Sequence, residues 1–188
     1  MKPEQALKRL LDGNARYVAG IGQTGVDNAL RNDLYINGQH PYAVIVGCSD
    51  SRVPVELVFD AKPGELFVIR TAGNVVGTIE MGSIEFAVSN LKTSLILVLG
   101  HQNCGAVRAA IEGGGHSAAI RTILNEIRPS VPTIACDDPY SVCEDNNIRQ
   151  MMSKISVNHT ISNAILNKEI QLCSAKYSLE TGIVSFFE

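Results

Sequence analysis

The chain has 188 residues, 45% hydrophobic and 19% charged, a balance that fits one globular domain with a buried core and excludes disordered or collagen-like chains. Sixteen basic against nineteen acidic residues give a net charge of −3, and no Lys/Arg block occurs, which argues against nucleic acid or an anionic membrane as partner. The longest unbroken aliphatic run, Leu95 to Leu99, is far short of the roughly 18 apolar residues a membrane-spanning helix needs.

In chain order, Leu7, Leu10, Leu11 and Val18 recur at helical spacing behind an N-terminus that carries Glu4, which reads as a surface helix of a cytoplasmic protein rather than a secretory signal. Tyr42 to Gly47, Leu66 to Arg70 and Leu95 to Gly100 are short apolar runs rich in branched residues, as strands buried on both faces of a parallel sheet would be. Helical patterns lie between and after them, at Val55 to Phe59, Ile79 to Leu91 and Ala106 to Ile111. After the turn at Gly113-Gly114-Gly115 come a helix through Ile120, Leu124 and Ile127, a proline-interrupted stretch at 129–139 and one long helical region from about 141 to 168. Ile170 to Tyr177 reads as a fourth strand, and Ile183 to Phe187 as an antiparallel edge strand after the turn at 178–182. The expected fold is α/β, a mainly parallel sheet of about four strands plus that edge strand, flanked by helices.

Two predicted strand ends hold most of the reactive side chains: Cys48-Ser49-Asp50-Ser51-Arg52 after the first strand, and His101-Gln102-Asn103-Cys104-Gly105 after the third. In an open α/β sheet, neighbouring strands whose connections leave in opposite directions form a ligand crevice at their carboxyl ends. Zinc favours thiolate and imidazole donors, and three protein ligands leave a fourth position for water or substrate. Cys48, His101 and Cys104 could supply those three. Taken singly, each is more often a buried thiol or a satisfied core histidine, but together, beside Asp50 and Arg52, they point to a site. Cys136 and Cys143 lie in an acid- and proline-containing stretch without a nearby histidine, and Cys173 falls in a predicted strand, so these three read as non-ligands. His40, His116 and His159 are each candidates for shuttling protons.

The string Cys-Ser-Asp-Ser-Arg-Val-Pro at 48–54, followed by Gly-His-x-x-Cys-Gly at 100–105, strongly resembles the β-class carbonic anhydrases. The flanks extend the resemblance: Pro63 to Asn74, Gly82 to Ala87, and Thr181-Gly182. It covers roughly 35 to 187, so 1–34 is expected to be an N-terminal helical arm, packing on a neighbouring subunit, and 35–188 the catalytic core of one domain. The resemblance implies one zinc per chain on Cys48, His101 and Cys104, with hydroxide on that zinc attacking carbon dioxide to give bicarbonate. Asp50 would orient that hydroxide and Arg52 would hold Asp50 ionised. Two thiolate ligands would temper the metal's acidity, so alkaline pH is expected to favour hydration. Gln39, Phe67, Phe86 and the Gly105 N–H would line the substrate pocket, Phe67 across the interface of a homodimer or higher oligomer; Phe86 stands where many plant-type relatives have tyrosine.

In relatives that close when bicarbonate occupies a noncatalytic site, a tryptophan lies three residues before the first zinc cysteine. Here that residue is Ile45, the chain has no tryptophan, and Gln39 matches relatives whose site stays open, so an open site is expected although Arg70 matches an arginine of the closing site. Alternatives on the same residues are hydrolysis of carbonyl sulfide or carbon disulfide, and a zinc- and bicarbonate-binding oligomer without turnover. A thiol redox protein is disfavoured by the lack of a Cys-x-x-Cys pair.

Overall fold

The computed structural model describes residues 1–23 and 25–187. Helices α1 (Pro3–Val18) and α2 (Asn28–Asn37) precede β1 (Ala43–Cys48), the one-turn α3 (Val55–Val58) and β2 (Leu66–Thr71). There follow α4 (Thr78–Asn90), β3 (Leu95–His101), α5 (Gly105–Glu112), α6 (Ala118–Ile127), α7 (Pro139–Ser156), α8 (His159–Leu166), β4 (Gln171–Tyr177) and β5 (Val184–Phe186). The strands form one sheet in the order β2-β1-β3-β4-β5, parallel except for β5, which pairs antiparallel with β4 at the edge.

Every residue of β1 and β3 is buried because both faces of the central strands are covered. Successive side chains point to opposite faces. Val44, Val46, Cys48, Ile96 and Val98 pack beneath α4 to α8, whereas Ala43, Ile45, Leu95, Leu97 and Leu99 pack against α1 and α3. This two-sided burial is why these strands read as continuous apolar runs rather than alternating ones. Gly100, just before His101, admits α7 close to the sheet: a Cβ there would lie 2.4 Å from Ile148 Cδ1.

Two elements differ from the expected ones. The helical region at 141–168 is two helices, divided because Asn158 Oδ1 accepts the N–H groups of Thr160 and Ile161 and so starts α8 anew. Helix α2 lacks a periodic apolar signal because none of its residues is buried; its start is set locally by Asp27, whose side chain accepts the Leu30 N–H. Helix α1 docks one face on its own chain through Ala6, Leu10, Gly13 and Asn14 and leaves Leu11 and Val18 on its other face exposed.

That docking depends on Gly13, where a Cβ would sit 2.0 Å from the Phe59 carbonyl oxygen, and on Asn14, which bonds the Val58 and Gly182 carbonyls and the Val184 N–H. Alanine at position 13 gains about 1 kcal/mol of helix propensity. The backbone clash outweighs that gain, so Gly13→Ala is expected to destabilise the fold by about 2 kcal/mol. A urea midpoint equal to or above that of the wild type would show that α1 is not seated this closely.

Candidate metal centre

In the order β2-β1-β3-β4, the chain leaves β1 toward β2 and leaves β3 toward β4. The carboxyl ends of β1 and β3 therefore flank a topological switch point, where an open α/β sheet forms a crevice. Cys48 is the last residue of β1, His101 the last of β3, and Cys104 caps α5 after the turn at Gln102-Asn103. All three are buried, and their donor atoms lie within 4.8 Å of one another. Among the described residues no other group of three His, Cys, Asp or Glu side chains comes together as compactly.

The chemistry of the donors suits zinc. His101 Nδ1 lies 2.7 Å from the Gln102 carbonyl oxygen, so it carries the proton and leaves Nε2 with its lone pair free. That Nε2 is buried and has no hydrogen-bond partner among the described residues. Cys48 Sγ receives the Gly73 N–H at 3.3 Å. Its thiol is held well below the ordinary range, first by hydrogen bonding from the Cys104 thiol, which outweighs burial, and then by His101 and backbone amides. The Cys104 thiol is pushed up by the same pairing and by burial. Burial works against a charged His101, yet the adjacent Cys48 thiolate outweighs it and raises its pKa. The cluster therefore attracts positive charge and offers soft donors to it.

Gly73 is tied to this position by its backbone. Its φ is +70°, a left-handed conformation, and a Cβ would lie 2.7 Å from Ile127 Cδ1 and 3.1 Å from Ala106 Cβ. Only glycine brings the amide here to the sulfur without displacing its neighbours.

Asp50 and Arg52 form a bidentate pair, with Nε donating to Oδ1 at 2.9 Å and Nη2 to Oδ2 at 2.7 Å; the Arg52 N–H also donates to Oδ1 at 2.9 Å. Hydrogen bonding from Arg52 holds the Asp50 carboxyl well below the usual carboxylate range. Asp50 Oδ2 lies 3.9 Å from His101 Nε2, so the pair borders the cluster. Arg52 Nη2 also reaches the Asn103 carbonyl at 3.1 Å and joins the two loops. Arg70 donates to the Cys48 and Asp50 carbonyls at 2.9 and 2.7 Å, while Ile45 is fully buried in the core.

The remaining predicted site residues separate into two places. Gly105 opens α5 directly beside Cys104. Phe67 pairs in register with Val44, four residues before Cys48 and thus about 13 Å back along the strand. It contacts the half-exposed Phe86 with ring centroids 6.4 Å apart. Gln39 precedes β1 and lies at the opposite end of the sheet from Cys48. Within one subunit these three do not reach Cys48, His101 or Cys104. Cys136 is exposed, while burial pushes Cys143 up to about 11 and Cys173 up to about 12.

Residues that sequence reasoning missed also surround the cluster. Gly73 lies within the flanking resemblance, and its role as donor to Cys48 follows from the structure alone. Glu144 and Asn147, on the sheet-facing side of α7, accept the Cys104 N–H and donate to the Gly73 carbonyl. Their available signal was the presence of polar side chains at positions i and i+3 on the apolar face of a predicted helix.

A family model described as carbonic anhydrase matches residues 43–184. The chain is similar to a carbonic anhydrase of Mycolicibacterium smegmatis, 45% identical over 133 residues that cover 69% of this chain and 65% of that protein. It is also similar to carbonic anhydrase 2 of Mycobacterium tuberculosis, 36% identical over 188 residues, covering 96% and 90% of the two chains. It thus spans somewhat under two thirds of the first relative and nine tenths of the second. In fold it resembles the β-carbonic anhydrase CcaA (TM-score 0.77, 24% identity, 97% and 95% covered). A tetrameric β-carbonic anhydrase from Sordaria macrospora is also similar (TM-score 0.76, 22% identity, 97% of each covered).

Proposed function

The chain belongs to the β-class carbonic anhydrase family, and on that premise we propose that it interconverts carbon dioxide and bicarbonate with one zinc held by Cys48, His101 and Cys104. The observation that carries this reading is the buried two-thiol, one-imidazole cluster bordered by the Asp50–Arg52 pair. Zinc bound there would supply a Lewis acid that makes water nucleophilic, its acidity tempered by the two thiolates.

The protein's own groups do the rest. Asp50 accepts a hydrogen bond from the attacking water and aims its lone pair at the carbon. Because Arg52 holds its pKa so low, Asp50 orients the O–H without taking the proton. One carbon–oxygen bond forms as a C=O π bond opens to place its electron pair on oxygen, and the proton lost by the attacking water leaves to solvent. Gly105 opens α5, and we assign its N–H to the growing negative charge of the product, since the next two N–H groups, of Ala106 and Val107, turn to the Cys104 sulfur. Thiolate ligands stay reduced in a cytoplasmic setting, which is where we place the protein.

Gln39, Phe67 and Phe86 lie too far back along the sheet to serve their own subunit. We assign them to the pocket of a second copy, which makes a homodimer or a larger assembly of dimers the working unit. Tyr35 and Ile36 of α2, with Leu11 and Val18 of α1, are exposed apolar side chains available to that contact.

Stopped-flow hydration of carbon dioxide on zinc-analysed protein tests the reaction. The wild type is expected to carry about one zinc per chain and to hydrate carbon dioxide in preference to releasing sulfide from carbonyl sulfide. Cys104→Ser is expected to lose both metal and activity, while Cys136→Ser keeps both. Sulfide release that outpaces hydration would reassign the substrate.

Arg52→Ala removes both guanidinium bonds to Asp50, leaving only that of the backbone N–H, and is expected to lower kcat by about 10- to 100-fold. An unchanged kcat would remove Asp50 and Arg52 from the reaction. In light scattering at micromolar concentration the protein is expected to run as a dimer or a multiple of it, and a fully active monomer would contradict the shared pocket.

A further inference from the structure

Helix α7 turns two polar residues to the sheet among Cys143, Ile148, Met151 and Ile155: Glu144, 5% exposed, and Asn147, 1% exposed. Polar groups at such positions are costly unless bonded, so the destination of their bonds is informative. Glu144 Oε1 accepts the Cys104 N–H at 3.1 Å. Asn147 Nδ2 donates to the Gly73 carbonyl at 2.8 Å, and the Gly73 N–H in turn donates to Cys48 Sγ. One helix therefore holds both cysteine-bearing parts of the cluster. The two residues are one turn apart, a rise of about 4.5 Å.

Lys176 completes the arrangement from β4, where it stands beside Gly100 in register. Its Nζ lies 2.9 Å from Glu144 Oε2, 2.8 Å from Asp145 Oδ1 and 3.0 Å from Ser141 Oγ. An unpaired carboxylate here would add negative charge beside two sulfur ligands and would be expensive to bury. Lys176 cancels that charge and, by binding Oε2, leaves Oε1 aimed at the Cys104 amide. Burial works against a charged Lys176, but Asp145 and Glu144 outweigh it and raise its pKa.

We propose that Glu144 and Asn147 are positioning residues for the metal: together they set the spacing of Cys48 and Cys104, with Lys176 holding Glu144 in place. The proposal rests on the metal reading of the Cys48–His101–Cys104 cluster. It differs from ordinary helix docking in that the two bonds end on the amide of one cysteine and on the glycine that bonds the other.

The test loads the full chain with zinc, or with cobalt(II), whose visible and thiolate charge-transfer bands report the ligand geometry. Glu144→Gln and Asn147→Ala are compared with the wild type and with Ile155→Ala, which loosens the same helix from the core two turns beyond Asn147. Glu144→Gln keeps the shape but replaces one carboxylate oxygen by an N–H₂ donor, so that either Lys176 or the Cys104 N–H meets a donor in place of an acceptor. Both site variants are expected to pass zinc to a competing chelator about 10- to 100-fold faster than the wild type, with altered cobalt bands. Ile155→Ala is expected to melt lower yet to keep wild-type release and wild-type bands.

Wild-type release and bands in both site variants would overturn the positioning role and leave the metal reading intact. Equal acceleration in Ile155→Ala would overturn it too, because loosening α7 alone would then account for the effect. If one site variant does not fold, the other decides by the same criteria. A wild-type chain that takes up neither metal would overturn the metal reading, and the proposal with it.

Discussion

Bringing two thiols and an imidazole within 4.8 Å of one another in a buried crevice is the constraint on which the surrounding structure depends. A buried nitrogen such as His101 Nε2, left without a partner, costs roughly 1–3 kcal/mol. The thiols compete for a single proton, so that one is driven toward thiolate and the other away from it. A cation at the centre relieves both penalties, and the nearby groups are arranged accordingly. The Gln102 carbonyl selects the histidine tautomer, the Gly73 amide supports one sulfur, and Arg52 keeps Asp50 from adding an unpaired charge.

The sheet supplies the rigidity this requires. Cys48 and His101 end two adjacent parallel strands whose every residue is buried, so their separation follows from strand spacing and register. Cys104 lies beyond a turn in which Asn103 takes a positive φ of 54°, and its placement needs separate support. Arg52 provides part of it through the Asn103 carbonyl and Glu144 the rest through the Cys104 amide. The ligand with the least help from the sheet thus receives the most from side chains.

Legibility in the sequence followed how local each signal was. β1 and β3 were readable because burial on two faces leaves an unbroken apolar run, and the cluster because its three donors follow such runs inside short motifs. α2 was not readable, since a helix without buried residues has no apolar face to detect. The division between α7 and α8 rests on one capping asparagine within an otherwise helical pattern. Gln39, Phe67 and Phe86 were grouped with the site by resemblance, but only the register of β1 with β2 and the position of Gln39 before β1 reveal that they stand at the wrong end of their own subunit. Glu144 and Lys176 are 32 residues apart and belong to a helix and a strand whose contact no periodicity encodes.

X-ray absorption at the zinc edge of the purified, metal-loaded protein addresses the central claim most directly, because it counts the ligands by type. Two sulfur neighbours at about 2.3 Å and two lighter ones at about 2.0–2.1 Å are expected, one from His101 and one at the position left open for water. Four sulfur neighbours, or a first shell without sulfur, would contradict that claim.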